Sequence, residues 1–442
     1  MDFRPCHATK YHILTQLFQY KDHANVSSDL PNRRNEKKET ASEKCPEYFR
    51  WIHEDLLPWS EQGITLDMVE HAKNFADIRI VVVNGSVYVE KYRGVFQTRD
   101  VFTIWGILQL LRLYPGRLPD LDFMFQCGDK PLVRKRDFTG EKTAKIPPVF
   151  HYCGDNDTLD IAFPDWSFWG WPEINIPPWN SLREELEEGN HRIKWAKRKP
   201  YAYWKGNIHT SGNRIGLMKC NVNAKQDWNA RIYHLDWGSE IRDKFKSSNL
   251  ADQCNYRYKI YVEGIAWSVS EKYILACDAM TLLIEPQYYD FFTRSLVPTV
   301  HYWPINKKDM CRSIKSAVDW GNKNTQMAQK IGKGGSIFIQ EQLRMKDVYN
   351  YMFHLLDAYG KLLRYKPVVP PKAVQMCSET MGCTAAGLEK KFKMESMVRS
   401  AEDGGPCVLP PPYTRPELQA FLDKKANLNK NVGMWEDHQD PF

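Results

Sequence analysis

The sequence predicts an α/β protein made of two strand-and-helix halves and a tail. Three observations carry this expectation. Apolar runs of strand length alternate with longer runs of helical spacing. The alternation occurs twice, and the charged stretch HRIKWAKRKP (191–200) separates the two series near residues 195–200. From Pro367 onward the composition turns Pro-rich, with PPK and LPPPY among scattered charges. Strand, helix and strand joined by short links argue for parallel βαβ units. A cleft between two such halves is a common place for a ligand.

Residues 1–44 are polar, end in NRRNEKKETASEK and read as a mobile leader. Order begins at CPEYFRWIHEDLLPW (45–59), where Phe49, Ile52 and Leu56 recur at helical spacing. IRIVVVNGSVYVEKY (78–92) reads as a hairpin, because Asn84-Gly85 supplies the two positive-φ positions of a tight turn. RDVFTIWGILQLLRLY (99–114) is a buried helix stopped by Pro115-Gly116. LDFMF (121–125), PVFHYC (148–153) and DIAFPDW (160–166) are strands, and Ser181 with Glu184 marks a capping box for a charged helix. The second series has strands at AYWKG (202–206), RIYHL (231–235), YKIYVEG (258–264), TLLIE (281–285) and VHYWPI (300–305). A helix is expected at SVSEKYILAC (268–277), and long helical patterns fill 326–365. The tail is expected to wrap the surface or to be partly disordered.

Composition bounds the function. The chain has 442 residues, 43% hydrophobic and 13% aromatic with 15 Trp, which suits a folded protein with a large core. The net charge of +7 is spread over interleaved acids and bases, and no basic block flanks aromatic motifs, so nucleic acid is not the expected partner. A mild positive excess suits an anionic small molecule. The 11 Cys include no CxxC, so zinc spacing is absent, and cysteines at this density favour an oxidising compartment. Sequons at Asn25, Asn84 and Asn156 are no more than chance supplies. No stretch reaches the ~18 apolar residues of a membrane span. With no signal-peptide core either, the expectation is a soluble intracellular chain or one lacking its natural start.

Four stretches are candidates for chemistry. In EGIAWSVSEKYILAC (263–277) a small-residue turn feeds a helix expected to start at Ser268, with Glu271 completing a capping box. Free N–H groups there suit a diphosphate, although every βαβ unit has such a turn. In YAYWKGNIHTSGNR (201–214) Arg214 follows a strand end, where it can clamp a phosphate or belong to a solvated loop. DIAFPDWSFWGWPEINIPPW (160–179) holds four Trp and four Pro, which serve either as a stacking surface or as a rigid packed loop. In LDFMFQCGDKP (121–131), Asp129 is a turn residue or a carboxylate delivered by a strand. The D-x-D pairs Asp120/Asp122 and Asp155/Asp157 fit a divalent-metal pattern that is short and frequent. No G-x-S-x-G elbow or P-loop occurs, and IGKGGS (331–336) lies inside a helical pattern.

YWKGN, YKIYVEGIAWSVSEKYILACD and YYDFFTRSLVPTVHYWPI together resemble glycosyltransferase family 90, the Rumi-like protein O-glucosyltransferases and capsule-associated xylosyltransferase-like proteins. PDWSFWGW and EKKFKMESM look most like the plant members. The resemblance spans roughly residues 45–420. It implies a GT-B-like α/β architecture of two Rossmann-like domains facing across a cleft. The acceptor and catalytic-base domain then covers 45–197, the UDP-sugar-binding domain 198–365, and a tail 366–442. It implies a UDP-sugar donor, a glucosyl or xylosyl group, and a protein or polysaccharide acceptor. Inversion without metal or other cofactor is implied, as is an ER or Golgi lumen with any membrane anchor lying outside this sequence.

Residue by residue, the resemblance puts the general base at Asp129. It puts donor contacts at Asn207, Arg214 and the turn Ile265, Ala266, Trp267, Ser268, Val269 and Ser270. Acceptor contacts fall at Trp171 and Pro172, and Cys254 and Cys277 fall on a disulfide pair. Animal members carry Arg where this chain has Ser270, and Ser where it has Asn207. Lys272 is the candidate to replace the missing charge.

Overall fold

The structure is a computed structural model that describes residues 43–246 and 249–437. Most of the expected leader, with Asn25, lies outside the described residues, as do the last five residues.

The first half builds a mixed sheet. Strands β1 (Ile78–Val83) and β2 (Ser86–Lys91) form the expected hairpin, with Asn84 at φ 49° and Gly85 at φ 72°. β3 (Leu121–Phe125) pairs antiparallel with β1 and parallel with β4 (Val149–His151). Further along come β5 (Gly154–Asp155) and β6 (Ile161–Ala162), the latter parallel to β4. The tight Asn-Gly link forces β1 and β2 to run antiparallel, so this half departs from an all-parallel pattern. The helix Arg99–Leu113 matches its expected span and is buried along most of its length.

The second half is fully parallel. β7 (Lys199–Gly206), β8 (Ala230–His234), β9 (Tyr256–Tyr261) and β10 (Met280–Ile284) are followed by the short β11 (Tyr288–Tyr289) and by β12 (Trp303–Ile305). The spatial order is β8-β7-β9-β10-β12. Numbered within this half, that is 2-1-3-4-5, an order whose topological switch point lies between the first and third strands. Helices Met310–Lys323, Thr325–Gln342 and Met345–Leu362 fill the expected 326–365 region and more, and IGKGGS sits inside the second.

Two features join the halves. β11 pairs antiparallel with β5, linking a loop of the second half to one of the first. The tail does more than cover surface. Its strand β13 (Val374–Met376) extends the first sheet beside β2, and the Cys45–Cys407 disulfide pins it to the start of the described chain. Its last helix, Arg415–Asp437, touches both halves. Glu417 accepts from Arg50 at 3.1 Å, and Trp435 packs against Trp303 and Trp320 at 5.8 and 6.3 Å.

Two helix starts differ from expectation. The charged helix begins at Trp179 behind Pro178, not at Ser181, because the proline ends the preceding chain and Trp179 is drawn into the core. The helix expected from Ser268 begins at Ser270 and ends at Leu275.

Candidate functional site

The switch point of the parallel sheet places two loops side by side: 207–214 after β7, and 262–270 after β9. Asn207 turns the first loop by accepting from the His209 N–H at 2.9 Å. Ser211 then caps the helix Gly212–Met218 through the Arg214 N–H at 3.4 Å. The Arg214 side chain folds across to the second loop. Its Nε donates to Glu263 O at 3.1 Å, Nη1 to Asn207 O at 3.1 Å, and Nη2 to Val262 O at 3.3 Å and Ser268 Oγ at 3.2 Å.

Arg214 is only 9% exposed, yet no carboxylate pairs with it among the described residues. Burial pulls its pKa down, with Tyr273 and Tyr261 opposing. A guanidinium does not give up its proton in a protein, so a whole positive charge is held here by carbonyl and hydroxyl dipoles alone.

The second loop supplies the rest of this face. Ser268 Oγ lies 2.8 Å from Ser270 Oγ, and the Ser268 N–H donates to the Tyr261 hydroxyl at 3.1 Å. The expected Ser268–Glu271 capping box does not form. Ser268 Oγ is engaged by Arg214 and Ser270, while the Glu271 carboxyl is buried against Tyr261. Ala266 and Trp267 are buried and Ile265 is exposed. Lys272 does not replace the missing arginine at Ser270. Its ammonium is buried on Ser167 Oγ at 2.6 Å and Asp165 Oδ2 at 3.2 Å, on the first half. The expected disulfide Cys254–Cys277 is present, with a Cα–Cα distance of 5.1 Å, and ties the end of that helix to the approach to β9.

Asp129 lies in the turn after β3, at the carboxyl end of the parallel strands of the first half. Its side chain is 38% exposed. Arg99, from the first turn of the Arg99–Leu113 helix, donates from Nη1 and Nη2 to Asp129 Oδ1, each at 3.3 Å, and from Nη1 to Cys127 O at 3.3 Å. Among the described residues nothing donates to Oδ2. The Cys153 thiol donates to the Asp129 carbonyl at 3.4 Å, which holds the turn against β4. Sequence reasoning missed Arg99. The signal was available: a cation in the first turn of an apolar helix opposes the helix dipole and calls for a partner.

Aromatic side chains connect the two faces. The Arg99 guanidinium lies 4.4 Å from the Trp166 ring and 5.8 Å from that of Trp171. Trp166 meets Trp171 edge-on at 4.8 Å and Trp267 of the 265–270 turn at 6.1 Å. Trp171 Nε1 donates to Gln97 Oε1 at 2.7 Å, and Pro172 opens a single 3₁₀ turn. Contacts therefore run from Asp129 through Arg99, Trp166 and Trp267 to Ser268 and Arg214. Asp129, Trp171 and Pro172 gather on one face, and Asn207, Arg214 and 265–270 on the other.

Three of the four D-x-D carboxylates, those of Asp120, Asp122 and Asp155, have other partners. Both Asp122 oxygens are held by Arg79, at 2.7 and 2.6 Å, and Asp120 accepts the Asn84 N–H at 2.8 Å. These lie at the start of β3, the end away from Asp129. Asp155 is buried and caps its own turn through the Asp157 N–H at 2.9 Å.

The chain is 27% identical to the "O-glucosyltransferase rumi" of Drosophila melanogaster over 342 residues, 73% of this chain and 78% of that one. It is 28% identical to the human "Protein O-glucosyltransferase 1" over 354 residues, 77% of this chain and 86% of that one. The "O-glucosyltransferase rumi homolog" of Aedes aegypti is 27% identical over 323 residues, 71% and 77% of the two chains. The model of glycosyl transferase family 90 matches residues 40–436, so the chain belongs to that family.

Proposed function

We propose that this glycosyltransferase is an inverting enzyme that moves a glucosyl or xylosyl group from a UDP-sugar to a hydroxyl of a protein or glycan, without a metal. The single observation that carries this reading is Arg214. A buried cation without a carboxylate, at the switch point of a parallel sheet, is a ready counter-charge for a diphosphate. Asp129, with an open carboxylate oxygen, is the general base: it takes the proton of the acceptor hydroxyl as the hydroxyl oxygen bonds to C1 of the sugar and the C1–O bond to UDP breaks. Negative charge then gathers on the leaving UDP. Arg214 and the backbone N–H groups of 265–270 stabilise it there, the role a divalent ion takes in other transferases. Asn207 borders the same loop, and Trp171 and Pro172 offer an apolar face to the acceptor.

The two halves then act as the donor and acceptor domains of a GT-B-like enzyme, with boundaries near 45–197 and 198–365. The acceptor class follows the human relative, whose name specifies a protein O-glucosyltransferase. A secretory lumen fits the three disulfides seen among the described residues. No described helix is long and apolar enough to cross a membrane.

The test is UDP release from a panel of UDP-sugars, with and without EDTA. Release from UDP-glucose or UDP-xylose that survives chelation supports the reading. Loss of release on chelation would return the D-x-D pairs to consideration, against their present commitments to Arg79 and to their own turn. A second reading, a glycan-binding relative without turnover, is favoured by Ser270, whose hydroxyl brings no charge to the diphosphate. Tight UDP binding with neither transfer nor hydrolysis would select it.

A further inference from the structure

We propose that Arg99 is the positioning residue for the base, fixing which oxygen of Asp129 faces the acceptor. This rests on the reading of Asp129 as general base. Three observations carry it. Both terminal nitrogens of Arg99 converge on Oδ1, and Nη1 also holds the Cys127 carbonyl two residues earlier. One cation thus fixes the carboxylate and the turn that presents it, while Oδ2 is left open. Arg99 is itself 5% exposed, so its end of the pair is held in a dry setting while the Asp129 carboxylate keeps an open side. Its guanidinium plane is packed among rings: Trp166 at 4.4 Å, Phe96 at 5.1 Å and Trp171 at 5.8 Å. A planar cation wedged among aromatic faces cannot rotate freely, so the carboxylate inherits its orientation.

The same packing gives Arg99 a second task. Trp171 belongs to the loop assigned to the acceptor, and Trp166 touches Trp267 of the donor-side turn. A shift of either loop reaches Arg99 before it reaches Asp129. Arg99 therefore couples the base geometry to the seating of both substrates, without touching either. Lysine cannot do this. It carries the charge but lacks the fork that grips one oxygen and a carbonyl together, and the flat face that stacks.

The experiment compares R99M, R99K, D129N and R99M/D129N in the full chain. UDP release from UDP-glucose with water as acceptor reports turnover, and calorimetry with UDP reports donor affinity. Carbodiimide labelling of Asp129, read by mass spectrometry, reports access to the carboxylate and needs no turnover. R99M is expected to lower release by about tenfold or more, leave UDP affinity within about twofold, and raise Asp129 labelling several-fold. R99K should recover part of the release, and R99M/D129N should be no slower than D129N alone.

Unchanged labelling in R99M overturns the inference, as does a double variant that loses both effects independently, since that is the mark of a purely structural role. D129N with wild-type release overturns the base reading and the inference with it. An inactive D129N beside an unaffected R99M overturns the inference alone. Should R99M fail to fold, R99K keeps the buried charge, and unchanged labelling in that variant is equally decisive against the proposal.

Discussion

Two buried arginines stand at the strand ends of the two halves, and they are held in opposite ways. Arg99 in the first half has a carboxylate, Asp129, to balance it. Arg214 in the second half has only carbonyls and the Ser268 hydroxyl. The difference teaches what each can do. A paired arginine has spent its charge and serves geometry. An unpaired one is pre-oriented by dipoles and keeps its charge for an incoming anion. The surrounding sheets match these roles. The mixed first sheet is stapled by β13 and the Cys45–Cys407 disulfide, while the parallel second sheet opens its switch point to the Arg214 loops.

The largest effect should come from removing the proposed base. D129N is expected to cut transfer by about a thousandfold or more while UDP affinity stays within about twofold, as read by UDP release beside calorimetry. Wild-type turnover in D129N would break the comparison at its root. R214M should do the reverse. It removes the proposed counter-charge of the diphosphate, and UDP affinity should fall by about 10- to 100-fold. R214K should lie between the two, since it restores charge without the fork. Equal UDP affinity in all three forms would remove Arg214 from the donor face and leave it a structural residue holding two loops together.

A smaller effect sharpens the contrast between halves. Cys254–Cys277 closes a loop of 23 residues that carries β9 and the 265–270 turn. Replacing both cysteines by serine should cost about 2–4 kcal/mol in chemical denaturation. It should also weaken UDP binding, because the turn then loses its covalent tie and keeps only its hydrogen bonds to Arg214 and Tyr261 and its packing on Trp166. A loss of stability with unchanged UDP affinity would show that the turn does not depend on its disulfide.

Much of this contrast was legible in the sequence, and the parts that were not share a cause. Asn84-Gly85, the strands flanking it and the parallel second series follow from local turn chemistry and periodicity. Arg214 and the 265–270 loop are found by looking just past strand ends, where α/β sheets bind ligands. Arg99 and β13 escaped because long-range partners decide them. Arg99 meets Asp129 thirty residues away, and β13 meets β2 far along the chain, Val374 lying opposite Val89. Lys272 was misjudged for the same reason. Its place two residues beyond Ser270 pointed toward the Arg214 loops, but two residues of helix are about 200° of rotation, which swings it onto Asp165 of the other half. The capping box at Ser268 failed because Arg214, distant in sequence, competes for the serine hydroxyl.

A last, smaller effect tests how dry the paired side is. His151, at the end of β4, is fully buried, and its Nε2 has no hydrogen-bond partner. Burial pulls its pKa from 6.5 to about 4; the Cys153 backbone opposes this and the Arg99 charge adds to it. The unfolded chain therefore takes up this proton below pH 6.5, while the folded chain refuses it until about pH 4. Stability from this group is complete above pH 6.5 and falls as the pH drops, by at most about 3 kcal/mol. Asp290 runs the other way. Burial raises its carboxyl to about 7, so the folded state gains relative stability as the pH falls from 7 toward 3.8. The whole-protein profile sums both, and the H151N variant isolates one of them. Between pH 6.5 and 4 its unfolding free energy should fall less steeply than the wild type's, the slopes differing by about 1.4 kcal/mol per pH unit. Identical slopes would mean that His151 takes up its proton in the folded state at the same pH as in the unfolded chain, and that the Arg99 side is open to water.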